Sequence, residues 1–267
     1  MKRMATEFQE AYNNGNSIEE AVITVPSFFN EEQREATREA ARLSGIKVLD
    51  LLEEPAAKIF YYIFIKRQTT SYKPLGDKNI LVFNLGGGTL DISIMQVKDE
   101  KLNEIGRIGD SHLGGRDFDE VLATYVSTIL ENKYNTLLEN KKKKFKLMNM
   151  IENAKFDLSI TEKTEVDISE VGEDEWTPIE ITRKKFEDLS KGLLTRINNK
   201  IRDALLESGI EKIDKVVYVG GGSKMPMILK SLKDMFPKSE HYYGTDSEYA
   251  TSVGAVIYAL QLSQRRN

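Results

Sequence analysis

The segment NILVFNLGGGTLDIS, residues 79–93, decides how this chain is built. Its opening NILVF is apolar and β-favouring, and the glycines at 86–88 interrupt it. Beyond them Leu90 and Ile92 alternate with Asp91 and Ser93, the period of a half-buried strand. Strand, glycine turn and strand together read as a hairpin. Its glycines let the backbone approach a ligand where any β-carbon would collide, so the amide N–H groups of the tip suit phosphate oxygens. A tight turn without a ligand satisfies the same pattern.

Two further bends have similar chemistry. VYVGGGSKMP, residues 217–226, is an apolar strand running into glycines and then a helix expected over Ser223–Met235, whose N-terminus suits an anion or a polar base edge. GDSHLGGRDFD, residues 109–119, sets Gly114 and Gly115 beside Asp117 and Asp119 at a helix start, where the acids serve equally well as caps. Neither the Walker spacing GxxxxGK[ST] nor GxGxxG with a ribose-binding acid is present, which disfavours those nucleotide folds.

Upstream, a strand over Ala21–Val25 stops at Pro26. Asn30 caps the next helix, with Gln33 at the capping-box position and Gly45 as its stop. IKVLDLLEEP (46–55) then reads as a second strand and AAKIFYYIFIKR (56–67) as a buried helix, an alternation that implies parallel pairing. Downstream, a long helix is expected from about Asp117 to Tyr134, and a second long one over 183–209. Between them, alternating residues 164–182 suggest strands, with Trp176 a packing residue. The boundaries that result are 1–77, 78–134, an α+β insertion at 135–209, and 210–267, with the first linker at Gln68–Lys78.

Composition narrows the function. With 38 basic against 42 acidic residues, no overall field favours nucleic acid or an anionic membrane. The absence of cysteine removes disulfides and thiolate metal sites, and two isolated histidines offer no zinc constellation. No apolar run reaches the roughly 20 residues of a spanning helix.

Taken in order, VPSFFNEEQREATREAARLSGIKVLDLLEEPAA (25–57), LGGGTLD (85–91), GDSHLGG (109–115) and VGGGSKMP (219–226) resemble the nucleotide-binding domain of the 70-kDa heat-shock chaperones, from about Met4 to Gln264. The resemblance implies an α/β, actin-like ATPase (ribonuclease H-like) fold of two lobes around a cleft for ATP or ADP, with Mg2+ and a monovalent cation such as K+. Hydrolysis would drive a stress-response cycle in which a separate domain grips unfolded polypeptide clients, with J-domain co-chaperones and nucleotide exchange factors as partners and the cytoplasm as the compartment. On this resemblance lobe I is expected to be incomplete, lacking roughly a hundred residues that carry the first phosphate hairpin, and lobe II complete with its insertion.

Residue by residue, the resemblance puts Glu54 where the attacking water is oriented, a task suited to a carboxylate. Thr89 and the amides of Gly86, Gly87 and Gly88 would hold terminal phosphates, with Asp91 arranging water or a cation. Gly114 and Gly115 would face the phosphates, with Asp117 near a cation. Glu152 and Lys155 would contact the ribose and Ser159 the base edge, while Gly221, Gly222 and Lys224 would form the adenine pocket and Glu248 would replace a family Asp. Pro26 and Arg34 resemble the family's relay between cleft and partner domain, although a strand stop and a solvated helix residue fit those positions as well.

Beyond the missing hairpin, two further departures from the family pattern matter. Asn84 replaces an Asp at the head of the glycine turn; an amide keeps the shape and loses the charge, worth about 3 kcal/mol if an electrostatic clamp is lost. Lys224 stands where a guanidinium stacks on adenine, and Phe156 where another Arg lies. These leave two expectations: an ATP hydrolase of the chaperone type, impaired, or a non-catalytic nucleotide-binding or interaction module.

Overall fold

The computed structural model describes residues 19–26, 29–67, 76–98, 101–135, 140–169, 171, 177–243 and 249–264. Their elements are β1 (Glu20–Val25), α1 (Glu31–Leu43), β2 (Lys47–Glu53), α2 (Glu54–Arg67), β3 (Lys78–Leu85), β4 (Leu90–Lys98), β5 (Lys101–Asp110), α3 (Gly115–Tyr134), α4 (Lys141–Ile160), β6 (Lys163–Val166), β7 (Ile179–Thr182), α5 (Arg183–Leu189), α6 (Lys191–Ser208), β8 (Lys215–Val219), a 3-10 turn (Gly221–Lys224), α7 (Pro226–Met235), β9 (Glu240–Tyr243) and α8 (Ala250–Gln264).

Residues 79–93 form the hairpin that their pattern implies, with Leu85 opposite Leu90 and Asn84 opposite Asp91. β5 adds antiparallel to β4, while β8 pairs parallel to β3 and β9 to β8, giving the order β5-β4-β3-β8-β9. β1 and β2 make a separate parallel pair, β6 and β7 an antiparallel one. α1 starts as its sequence dictates: Asn30 Oδ1 accepts from the Gln33 amide and Gln33 Oε1 from the Asn30 amide, both at 2.9 Å. It ends at Gly45, whose φ of +78° lies in the left-handed region.

Strand alternation gives the main sheet two different faces. Leu81, Phe83, Leu85, Leu90, Ile92 and Ile94 build one core together with residues of α3 and α6. The opposite face carries Ile80, Val82, Met95, Val97 and Val217, and onto these packs Ile59 of α2. Each such fully buried side chain contributes about 1.5–3 kcal/mol. α2 also packs against α8, where an added Cβ on Gly254 would sit 1.8 Å from the Ala57 carbonyl oxygen, so only bare backbone fits the crossing. α2 therefore joins the β1–β2 pair to the main sheet.

On β5 a bulge at Ile105 shifts the alternation by one residue: Arg107 opposes Ser93 and Glu104 opposes Met95, so both point at α2. Residues 183–209 are two helices rather than one, broken at Ser190 (φ −87°, ψ 2°), and α6 lies against β4 and β5. The helix expected from Ser223 begins instead at Pro226. A proline disfavours α geometry at its predecessor, and Met225 is extended with ψ 131°, so residues 221–224 close as a 3-10 turn first. Trp176, Glu248 and most of the proposed 68–78 linker lie outside the described residues.

Candidate functional site

All three glycine bends meet at the C-terminal end of β3. The tip of the hairpin closes through the Gly86 amide, which donates to the Thr89 carbonyl at 2.9 Å. α3 docks directly onto it: the Gly115 and Arg116 amides donate to the Gly86 and Gly87 carbonyls, each at 2.8 Å. An added Cβ on Gly114 would lie 2.5 Å from the Gly88 nitrogen. The third bend presses on the same strand end, since a Cβ on Gly220 would fall 2.4 Å from the Leu85 carbonyl oxygen and one on Gly222 2.8 Å from Leu85 Cγ.

These contacts divide the glycines by role. Gly114, Gly220 and Gly222 are needed because protein backbone or side chain occupies the space a Cβ would take. Gly87, Gly88 and Gly221 are different: a Cβ on any of them meets nothing within 4 Å, so their backbones line open space. The start of α3 is committed to the hairpin, and the Asp117 carboxylate accepts the Gly114 amide at 2.7 Å as a helix cap.

On the face turned to α2 the sheet end is acidic. Asp91 is 7% exposed, and its Oδ1 has no hydrogen-bond partner among the described residues. Burial and then the nearby Glu54 raise its carboxyl to about 6, against the pull of Lys58 and Arg107. Glu54 opens α2 directly after β2 with no intervening loop, and Lys58, one turn on, brings its ammonium to 3.9 Å from Glu54 Oε2.

A polar seam continues from there between the β1–β2 pair and the main sheet. Glu53 Oε1 receives Arg34 Nη2 at 2.6 Å and Arg107 Nη1 at 3.1 Å, while Arg34 Nε also donates to the Phe29 carbonyl at 3.0 Å. Val25 pairs with Glu53, so Pro26 follows the residue that abuts the β2–α2 corner. Burial first, then contact with Glu53, pushes the Glu104 carboxyl up to about 8. The folded chain thus keeps this proton well above the ordinary 4.5 at which an unfolded chain releases it, and stability declines as pH rises between those values. Glu104→Gln, which donates as the protonated acid does, is expected to raise stability by about 1–3 kcal/mol at pH 8 and to leave it unchanged near pH 4. Urea midpoints across that range test this; a pH slope identical to that of the unaltered chain would refute it.

From α4, Lys155 reaches the glycine bends. Its ammonium is 2.7 Å from the Asp119 carboxylate and donates to the Gly115 carbonyl at 3.2 Å, in a buried pair that ties α4 to the start of α3. Burial raises the Asp119 carboxyl and Lys155 opposes the rise. Glu152 is exposed one turn earlier, and the Ser159 hydroxyl donates back to the Lys155 carbonyl at 3.1 Å. Phe156 is 54% exposed beside that pair, and Lys224 is exposed at the end of the 3-10 turn.

Sequence reasoning missed Gly220, Lys58, Arg107 and Glu104. Gly220 is the first glycine of its bend, and φ of +80° with ψ of 153° is a region essentially closed to other residues. Lys58 lies four residues after Glu54, on the same helix face, and that spacing was legible. Arg107 and Glu104 had no legible signal, because a bulge decides their direction.

Among the described residues no three His, Asp or Glu side chains group to hold a metal ion. Nor is any described helix long and apolar enough to cross a membrane. Comparison with known proteins adds two findings. A family model described as Hsp70 protein matches residues 1–266. A curated relative, the chaperone protein dnaK of Guillardia theta, is 35% identical over 254 residues, which cover 92% of this chain and 39% of the relative. The chain therefore spans about two fifths of the length of that relative.

Proposed function

The chain belongs to the Hsp70 family, and on that premise we propose that the meeting point of its glycine bends binds ATP and ADP and that Glu54 directs hydrolysis of the terminal phosphate. Its mixed α/β architecture is consistent with the actin-like ATPase fold of that family. The observation that carries the reading is the junction itself: Gly87, Gly88 and Gly221 border open space around one strand end, with a buried carboxylate oxygen lacking a partner beside them.

In this reading the Gly87 and Gly88 backbones cradle the terminal phosphates and Thr89 supports them, while Gly221 and Gly222 border the adenine with Lys224 at the rim. Glu54, whose side chain is 35% exposed, remains accessible to a water that it would orient and relieve of a proton. The orphaned Asp91 oxygen fits a role in holding water around a cation, whether Mg2+ or K+. Mg2+ carried by the nucleotide would neutralise charge on the phosphates. Gripping of unfolded polypeptides, the cofactors' exchange by partner proteins and a cytoplasmic stress role are proposed for the longer protein of which such a domain forms part. Asn84 favours a second reading, binding without turnover, because the residue opposite Asp91 contributes no charge.

Calorimetry with ADP tests the site. Gly221→Val has room in the chain itself, since nothing lies within 4 Å of its Cβ, yet it fills the proposed opening. Unchanged thermal unfolding with at least tenfold weaker ADP binding, about 1.4 kcal/mol, is expected. A variant that binds ADP as the unaltered chain does would remove Gly221 from the pocket.

A further inference from the structure

Lys58 lies beside both Glu54 and Asp91, the two carboxylates at the phosphate end of the proposed site, and has no role in the proposed chemistry. Side chains on a helix lean toward its N-terminus, so Lys58 reaches back over the first turn of α2 toward Glu54 and the hairpin tip. Its side chain is 12% exposed, and at 3.9 Å from Glu54 it makes a Coulombic contact rather than a hydrogen bond. Its donors are therefore not spent on that carboxylate. Across the seam Asp91 has an unpartnered buried oxygen, and Asn84, its cross-strand neighbour, adds no charge. Burial lowers the Lys58 ammonium, while Glu54 and then Asp91 hold the proton on, so a charged group is retained in a place where water is scarce.

A terminal phosphate entering between two carboxylates is repelled unless a cation stands with it. We propose that Lys58 is that cation: an ammonium that donates to the outermost phosphate of a nucleoside triphosphate and makes the site prefer triphosphate to diphosphate. This deepens the nucleotide reading and rests on it. The ion pair with Glu54 loosens as the phosphate arrives, which places the same residue within reach of both the phosphate and the water-orienting acid.

The test is titration calorimetry of the whole chain with MgATP and with MgADP, for the unaltered protein, Lys58→Met and Lys58→Arg. Loss of a charge-assisted hydrogen bond predicts MgATP binding weakened about 10- to 100-fold in Lys58→Met and MgADP binding by less than about threefold, with Lys58→Arg recovering most of the difference. The unaltered chain also supplies a measurement that needs no variant: MgATP affinity should fall more steeply with added salt than MgADP affinity. Equal losses for both nucleotides, no loss, or equal salt slopes would overturn the role of Lys58 while leaving the pocket in place. A chain that binds neither nucleotide overturns the nucleotide reading, and this inference with it.

Discussion

Gly220→Ala is expected to destabilise the chain by about 3–5 kcal/mol, the sum of a backbone conformation closed to alanine and an overpacked contact. With φ +80° and ψ 153°, residue 220 lies where a β-carbon is strained whatever its surroundings. The surroundings are full as well: the new carbon would lie 2.4 Å from the Leu85 carbonyl oxygen, 2.8 Å from its carbon and 2.9 Å from Asn84 Oδ1. Backbone cannot swing aside as a long side chain does, so the bend has to lift away from β3. Gly221→Val, one position on, is the control, because it meets no atom within 4 Å. Chemical denaturation of the two variants should therefore separate by several kcal/mol, and midpoints that agree within 1 kcal/mol would contradict this account of the junction. Nucleotide affinity should also fall in Gly220→Ala, as the bend is displaced.

Glu54→Ala is expected to reduce phosphate release in a single turnover by about 10²–10⁴, the range for losing a positioned general base, with ADP affinity nearly unchanged. Glu54 suits this role through its placement: first in α2, beside Asp91, and partly open to water. Radiolabelled ATP with excess protein measures the step directly. Tight binding without release in the unaltered chain would favour the binding-only reading that Asn84 suggests. Release that survives in Glu54→Ala would assign the water to another group. The prediction differs from that for Lys58→Met, which changes the preference between nucleotides and not only the rate.

Much of the local structure was legible before any coordinates. The hairpin at 79–93 follows from alternation on both sides of a glycine run, and the α1 cap follows from Asn30 and Gln33, since both are local patterns. Where local pattern failed, a neighbour in the chain or in space had intervened. The helix after the third bend started late because Pro226 restricts Met225, which the sequence contained but which the glycine run obscured. The break at Ser190 had a weak marker, a cap-type serine with Gly192 two residues on, and α6 turns there to lie on β4 and β5. Asp117 caps Gly114, as an acid at that helix start can, whereas the buried pair of Lys155 with Asp119 joins two helices and has no local signal.

By itself the sequence determined the order of most strands and helices, the α1 cap, and the presence of three glycine bends, because each depends on residues within a few positions of one another. Only the tertiary structure decided that these bends share the end of β3, which glycines face open space and which face packed atoms, and that Lys58, Arg107 and Glu104 point into the seam beside Glu54. Those outcomes depend on how α2 seats against the sheet and where β5 bulges, and both are settled by contacts between segments far apart along the chain.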